Sequence, residues 1–465
     1  MNENRKIGTD ELEELFNTRR YSEFMHLMDE LNPVDAAELL SELPPKRLPV
    51  AFRLLKKDTA AMIFAELEPE SQSNIIAGMS DREITQILDD LFTDDAVDML
   101  EELPASMVKR IMKSATPETR AQINHFLAYP EDSAGSVMTS EFIDLRKNMT
   151  CRQAVERIRK IGLDSETVYV AYVTDPARIL NGVVPLKKLL FAKEDDLIGD
   201  IMDTNVLFAY THDDRETVAN MISHYGILAL PIVDKEKRLV GLVTVDDALD
   251  VLESEATEDI EKMAAIVPND KPYIRTGVWE TFQKRSPWLL LLMILATFTG
   301  AIIAHYEVAI GTYAILTAFL PMLMNTGGNA GGQSSATIIR GLSLGEIELC
   351  DVLRILWKEL RVGVLCGIAL AIATFVKVMA IDFRFQTTTV LENGELQNNL
   401  LIAMIICLTV FFAILFAKIV GTLLPIGAKR IGLDPAVMAS PFITTIVDTV
   451  TLLIYFAIAS SLLHF

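Results

Sequence analysis

Cysteine, histidine and basic charge are all in short supply in this chain, and each shortage removes a class of function. The four cysteines, Cys151, Cys350, Cys366 and Cys407, show no paired spacing, so neither a disulfide framework nor a thiolate metal centre is expected. Cys366 and Cys407 fall inside apolar runs and read as packing residues. The six histidines, His26, His125, His212, His224, His305 and His464, are scattered, with no pair at metal-ligand spacing. There is no Walker A sequence and no nucleophile elbow, so the chain is not expected to be an enzyme or to drive transport by hydrolysing ATP. Lys and Arg number 42 against 63 Asp and Glu, a formal net charge of −21, which argues against nucleic acid as a partner. Excess carboxylate suits cations as ligands, or simply a soluble, self-repelling surface. The opening segment MNENRKIGTDELEELF lacks the apolar core of a secretory signal, so the first half is expected in the cytoplasm.

What the chain does have is divided unevenly. Hydrophobic residues make up 51% and the mean hydropathy is +0.31, values at odds with the acidity of a single soluble domain. Up to about Lys284 the sequence is rich in charge, with apolar residues at helical or strand spacing. From Trp288 onward long apolar runs dominate. A soluble regulatory half followed by a membrane half is the expected organisation.

Residues 1–130 read as short helices between proline-containing turns, a small all-α solenoid. DAAELLSELP from Asp35 is echoed by DDAVDMLEELP from Asp94. From Val137 the pattern turns to alternating strands and helices, an α/β repeat in two copies over 131–198 and 199–256. The landmarks Val137-Met138-Thr139 match Ile201-Met202-Asp203, and Gly182 matches Gly241. The repeat resembles a tandem pair of CBS domains. DDALDVLESEATEDIEK, from Asp246 to Lys262, then packs eight carboxylates with a single lysine. A helix over 257–267, within a linker region 257–284, would join it to the membrane domain at 285–465.

In that last domain about five α-helical spans are expected, near 287–305, 310–338, 362–381, 399–424 and 436–463. Lys284 and Arg285, then Arg340, Lys358 and Arg361, then Lys429 and Arg430 mark one side. The loops on the other side hold only Arg384. The positive-inside rule places the N-terminal half in the cytoplasm and the C-terminus outside.

Asp448 is a lone charge deep in the last apolar run. At that depth a carboxylate costs at least about 2.5–3.5 kcal/mol on insertion scales, so it needs a partner, water or a cation. At helical spacing it shares a face with Thr445, Thr444, Pro441 and Ser440, with Thr451 one turn on and Asp434 near the cytoplasmic end of the stripe. No basic residue lies at matching depth; Lys377 and Lys418 are nearer span ends and are expected to snorkel. In the second span, PMLMNTGGNAGGQSSATIIR crowds Asn325, Thr326, Asn329, Gln333, Ser334, Ser335 and Thr337 among four glycines. It reads either as tight helix packing or, more sharply, as a broken helix beside a hydrophilic path.

Together, PMLMNTGGNAGGQ, the IGLDPA…SP…TT…VD run, the CBS pair and the EATEDI segment resemble the MgtE family of Mg²⁺ channels and transporters, over essentially the whole chain. The resemblance implies a homodimer in the inner membrane, with lipid around it and a pore on the two-fold axis. Asp448 would hold Mg²⁺ through water, with Ser440 and Thr444 lining the pore; the polar faces described above add Asp434, Thr445, Asn329 and Gly328 as pore candidates. It also implies closure by cytoplasmic Mg²⁺ bound between carboxylates. These would be Asp94 and Asp98 of the helical domain, Asp214, Glu216, Asp247 and Asp250 of the CBS region, and Glu255, Glu258 and Asp259 of the connecting helix. Gly226 stands where some relatives carry a further Asp. Thr244 and Asp247 match CBS positions that often hold an adenosine ribose, which would make ATP a regulatory ligand; Pro185 and Lys188 of the first copy do not. The expected function is a Mg²⁺ channel, with a Na⁺- or H⁺-coupled carrier and a non-transporting membrane sensor as the rival readings.

Overall fold

The structure, a computed structural model, describes residues 12–463 apart from 13, 17, 270–272, 274, 275, 308–312, 383–398 and 439. The chain divides into two compact units, Met1–Leu252 and Glu253–Phe465.

In the first unit nine short helices, α1 to α9, run from Tyr21–Glu30 (α1) to Pro117–Phe126 (α9) among the described residues. Proline lies in the first turn of several of them, where its missing N–H costs nothing. Asn32, Ser80 and Thr116 cap their helices with side-chain acceptors. Contacts then recur at a fixed separation: Thr59 with Asp29, Arg53 with Glu83, Ser71 with Ser41 and Thr119 with Asp89 are each 30 residues apart. The chain therefore winds as a superhelix, and the two echoing phrases at Asp35 and Asp94 lie about two of these steps apart. Phe24, Met28, Leu40, Phe64 and Ile75 fill its core.

The rest of this unit contains two matching three-stranded sheets. β1 (Asp144–Leu145) is parallel to β2 (Val170–Thr174), which is antiparallel to β3 (Leu180–Pro185). β4 (Ala209–Tyr210), β5 (Ala229–Val233) and β6 (Leu239–Thr244) repeat the order and directions. The helices α10 (Cys151–Ile161), α11 (Leu186–Phe191), α12 (Ile198–Ile201) and α13 (Arg215–Tyr225) complete the pair. The landmark residues explain themselves here. Asp203, at the head of the second repeat, exchanges two 2.9 Å backbone hydrogen bonds with Val183 of β3. Thr139, at the head of the first, does the same with Leu242 of β6 at 2.8 and 2.9 Å. Each crossing needs a glycine: a Cβ on Gly182 would lie 2.9 Å from the Asp203 carbonyl, and one on Gly241 would lie 2.5 Å from that of Thr139.

The helix after β6 runs unbroken as α14 (Val245–Met263). It replaces the separate helix expected over 257–267, because 245–263 contains no Gly or Pro to interrupt it; Ala265, at φ 57°, turns the chain beyond its end.

The second unit contains five long helices among the described residues: α15 (Val278–His305), α16 (Leu320–Ser343), α17 (Val352–Lys377), α18 (Asn399–Arg430) and α19 (Ser440–Leu463). Among the described residues four segments, built on α15, α17, α18 and α19, are long and apolar enough to cross a membrane. α16 is as long as α19, at 24 residues, but its glycines, asparagines and serines dilute its hydropathy. Of the five spans expected, four are matched by segments of spanning length and composition, and α16 matches in length alone. Buried residues of α16, α18 and α19, among them Ile405, Ile406, Val447, Tyr455 and Phe456, form the core. The expected loop around Arg384 lies outside the described residues.

Candidate functional site

α16 is continuous, which corrects the expectation of a broken helix at PMLMNTGGNAGGQ. The glycines serve close packing. A Cβ on Gly328 would lie 2.7 Å from Thr444 Cγ2, and one on Gly331 would lie 2.9 Å from Ile443 Cγ2. α19 therefore rests on the backbone of α16. The opposite face of α16 is polar: Asn325, Asn329, Gln333 and Thr337, four residues apart, are all exposed. Asn329 donates to Asn325 Oδ1 at 3.2 Å, and Thr337 donates back to the Gln333 carbonyl at 2.9 Å. A polar stripe on a helix packed among apolar spans needs water or another protein surface beside it. The i, i+4 spacing of these residues carried that signal in the sequence.

On α19, Asp448 is half-buried, and its Oδ1 is buried with no hydrogen-bond partner. Thr445 donates to the Pro441 carbonyl at 3.0 Å. Ser440 opens the helix, and its side chain lies outside the described residues. The polar stripe is shorter than expected at both ends. Thr451 is fully buried against Gly327, and Asp434 lies ahead of the helix rather than on it. Asp434 instead caps the following turn, accepting from the Ala436 N–H at 2.8 Å, and pairs with Lys262 at 2.7 Å.

Lys262 belongs to the end of α14, where it also meets Glu258 at 2.5 Å. Burial pulls its ammonium down, but the hydrogen bonds it donates to Asp434 and Glu258 outweigh that and raise it overall. Next to it Asp259 accepts from Ser343 at 3.0 Å, and Met263 packs with Ile339 and Ala436. Burial raises the Asp259 carboxyl, the Ser343 hydrogen bond opposes this, and Asp434 adds to it. Thus Asp259 and Glu258 are drawn to one anchoring point at the membrane half. Glu255, one turn earlier on the same helix, has an interaction of its own.

The first unit gathers a separate group of acids. Asp94 lies on α7 (Thr93–Glu102), buried, and its carboxyl is held well above the ordinary range by burial and then by the charges of Asp247, Asp95 and Glu166. Asp95 is pushed up to about 6 by burial, then by Asp247, Glu66 and Glu141. Glu166 rises to about 8 by burial, then by Asp247, Asp95, Asp246 and Glu141. Asp247 is raised by burial, resisted by its hydrogen bond from Thr244. The structure therefore brings together Asp94 and Asp247, as expected, and adds Asp95, Glu166 and Glu66. Glu166 was hidden because it sits in the loop after α10, far from any acidic run.

Of the other sensor candidates, Asp250 borders this group, its charge helping to raise the Glu66 and Asp247 carboxyls. Asp98 and Asp250 are exposed. Asp214 is the N-cap of α13, accepting from Thr217 at 2.9 Å, and Glu216 follows in its first turn. Gly226 closes that helix at φ 61°, a left-handed conformation that suits glycine. Thr244 and Asp247, the expected ribose contacts, are bonded to one another. Among the described residues, no three of His, Cys, Asp and Glu converge as a ready metal cage.

One prominent pair was misjudged from sequence. Lys418 does not reach water: it is buried in α18 and pairs with Glu359 of α17 at 3.6 Å. Lys377 does pair near its helix end, with Asp382 at 2.9 Å.

A bundle of apolar helices around a glycine-packed polar helix, carried in one chain with a helical superhelix and a CBS pair, defines a multi-pass membrane protein with a large N-terminal part. Residues 320–458 match the family model described as the MgtE divalent cation transporter, 31–132 match the MgtE intracellular N domain, and 198–254 match the CBS domain. A magnesium transporter MgtE of Thermus thermophilus is 33% identical over 442 residues, covering 94% of each chain. One of Bacillus subtilis is 30% identical over 450 residues, covering 95% of this chain and 94% of the other. A crystal structure of the soluble part of a magnesium transporter superposes with a TM-score of 0.51 at 31% identity, covering 53% of this chain and 98% of that one. This chain belongs to the MgtE family.

Proposed function

We propose that this protein is a homodimeric Mg²⁺ channel of the cell's inner membrane, importing the ion down its electrochemical gradient and closed by cytoplasmic Mg²⁺. The observation that carries this is Asp448: a carboxylate with an unpartnered buried oxygen, inside a membrane-length helix that rests on the glycine face of α16. Such a group needs a cation or water. The exposed stripe from Asn325 to Thr337 supplies a hydrophilic surface on the neighbouring helix, and a second copy of the chain would enclose it and bring a second Asp448. Mg²⁺ sheds water reluctantly, so a filter with few carboxylates suits a hydrated ion held through its shell. The relatives compared carry the name magnesium transporter.

The acidic group around Asp94, Asp95, Glu166, Asp247 and Asp250 is the proposed sensor, with Asp98, Asp214, Glu216, Glu255, Glu258 and Asp259 as outlying sites. Its carboxyls are raised first by burial and then by one another's charges, and a divalent cation would relieve the second. The absence of a three-ligand cage among the described residues accords with an ion that keeps much of its hydration.

Uptake of Mg²⁺ into liposomes holding the purified protein tests the reading, with internal Mg²⁺ varied and no Na⁺ or pH gradient. Uptake that falls as internal Mg²⁺ rises supports it. Uptake only under an imposed Na⁺ or H⁺ gradient would make the protein a coupled carrier. No uptake under any gradient would make it a membrane-anchored sensor.

A further inference from the structure

The membrane half contains a second charged arrangement that the path past Asp448 does not use. The side chains of Lys418 and Glu359 are 7% and 13% exposed, although both are ionisable groups on membrane-length helices. The Glu359 oxygen that faces Lys418 also accepts a 2.7 Å hydrogen bond from the hydroxyl of Ser334 on α16. One carboxylate thus ties three helices together. Gly363 on α17 makes room for the lysine stem, since a Cβ there would stand 3.3 Å from Lys418 Cγ. One turn beyond Lys418, the missing side chain of Gly421 lets α18 press on the Gly331 carbonyl of α16.

Apolar packing would hold three such helices together without the desolvation that buried charges suffer. A directed hydrogen bond adds register, and α16 is the helix whose register matters. Gly328 fits Thr444 and Gly331 fits Ile443 and Val447, the residue next to Asp448. Ser334 lies six residues beyond Gly328, about 9 Å along the helix at 1.5 Å per residue. A slip of α16 would therefore move its glycine surface off α19 at the level of Asp448.

We propose that Glu359 and Lys418 are positioning residues that act through Ser334, fixing α16 against α19 in the conformation that lets the cation pass. This rests on the transport reading above. The test measures Mg²⁺ uptake per folded protein in liposomes, alongside the thermal transition of the same preparations. Ser334→Ala removes only the hydroxyl. Its maximal uptake is expected to fall at least about fivefold, with the half-saturating Mg²⁺ concentration and the thermal transition close to those of the parent. Glu359→Gln leaves Ser334 an acceptor but unpairs Lys418, and is expected to lower uptake further; the exchange Glu359→Lys with Lys418→Glu is expected to recover part of it. A merely structural role predicts a lower thermal transition with uptake per folded protein unchanged, and that result overturns the proposal. Should Glu359→Gln not fold, Ser334→Ala decides alone. Should the parent protein carry no Mg²⁺, the transport reading fails, and amide hydrogen exchange judges the network by itself. Ser334→Ala is then expected to speed exchange over residues 327–332, and unchanged exchange there overturns the proposal.

Discussion

The ammonium of Lys262 lies 2.7 Å from the carboxylate of Asp434, joining the acidic end of α14 to the turn that precedes α19. It is a fixed cation among carboxylates otherwise expected to attract Mg²⁺. The contact between Asp259 and Ser343 and the packing of Met263 on Ile339 and Ala436 lie beside it. The pair is partly exposed, at 23% and 34% for the two side chains, so its worth is at most about 1 kcal/mol, roughly fivefold in an equilibrium. If the pair belongs to the closed state, Lys262→Ala raises the internal Mg²⁺ needed to halve uptake by up to about fivefold; if the lysine only competes with the ion, the same change lowers it. An unchanged inhibition curve would separate this pair from closure.

Asp448→Asn should abolish Mg²⁺ uptake and leave a folded protein. Removing a charge whose buried oxygen has no partner relieves a desolvation cost, so the thermal transition is expected to hold or rise. Near-normal uptake by this variant would remove Asp448 from the ion path. A collapse of folding would instead give the carboxylate a structural role.

The parts legible in the sequence were those governed by period and spacing. Apolar runs marked the spans, repeated landmarks marked the CBS pair, and echoing phrases marked the superhelix. Asp448 could be singled out because one charge in an apolar run is rare and costly. Less legible was whatever depended on which helices touch. The glycines of α16 fitted a broken helix equally well until Thr444 and Ile443 were found against them. Lys418 looked free to reach a span end because nothing in its own helix announced Glu359, 59 residues earlier. Glu166 was missed for the same reason: its acidic neighbours come from other segments of the fold. Even Asp434, at plausible helical spacing from Asp448, proved to precede the helix because Pro435–Met438 forms a separate tight turn.

The acidic group gives the first unit a pH dependence of definite sign. Asp95, ordinarily at 3.8, is raised to about 6, and Glu166, ordinarily at 4.5, to about 8. Between about pH 4 and pH 8 the folded cluster binds more protons than the unfolded chain, so stability falls as pH rises through that window. Below it both states are protonated and the contribution is complete. For Asp95 the shift corresponds to on the order of 3 kcal/mol. Thermal unfolding of the Mg²⁺-free protein from pH 5 to 8 should show the decline, and millimolar Mg²⁺ or Asp95→Asn should flatten it. A transition independent of pH without Mg²⁺ would dissolve the cluster as a sensor.

Gly421 tests how closely α16 and α18 must meet. A side chain there would collide with the Gly331 carbonyl, which is backbone and cannot swing aside. Gly421→Ala is therefore expected to push the two helices apart and to cost about 1–3 kcal/mol, the usual range for overpacking. Because Gly331 also touches Val447, beside Asp448, uptake should fall in the fraction that still folds. Gly427, on the same helix, has nothing within 4 Å of its would-be Cβ. Gly427→Ala should therefore leave both stability and uptake near the parent values, separating the close approach at Gly421 from a general intolerance of alanine in α18. Equal behaviour of the two variants, by thermal unfolding and by uptake, would mean that the backbone contact does not set the spacing of the helices.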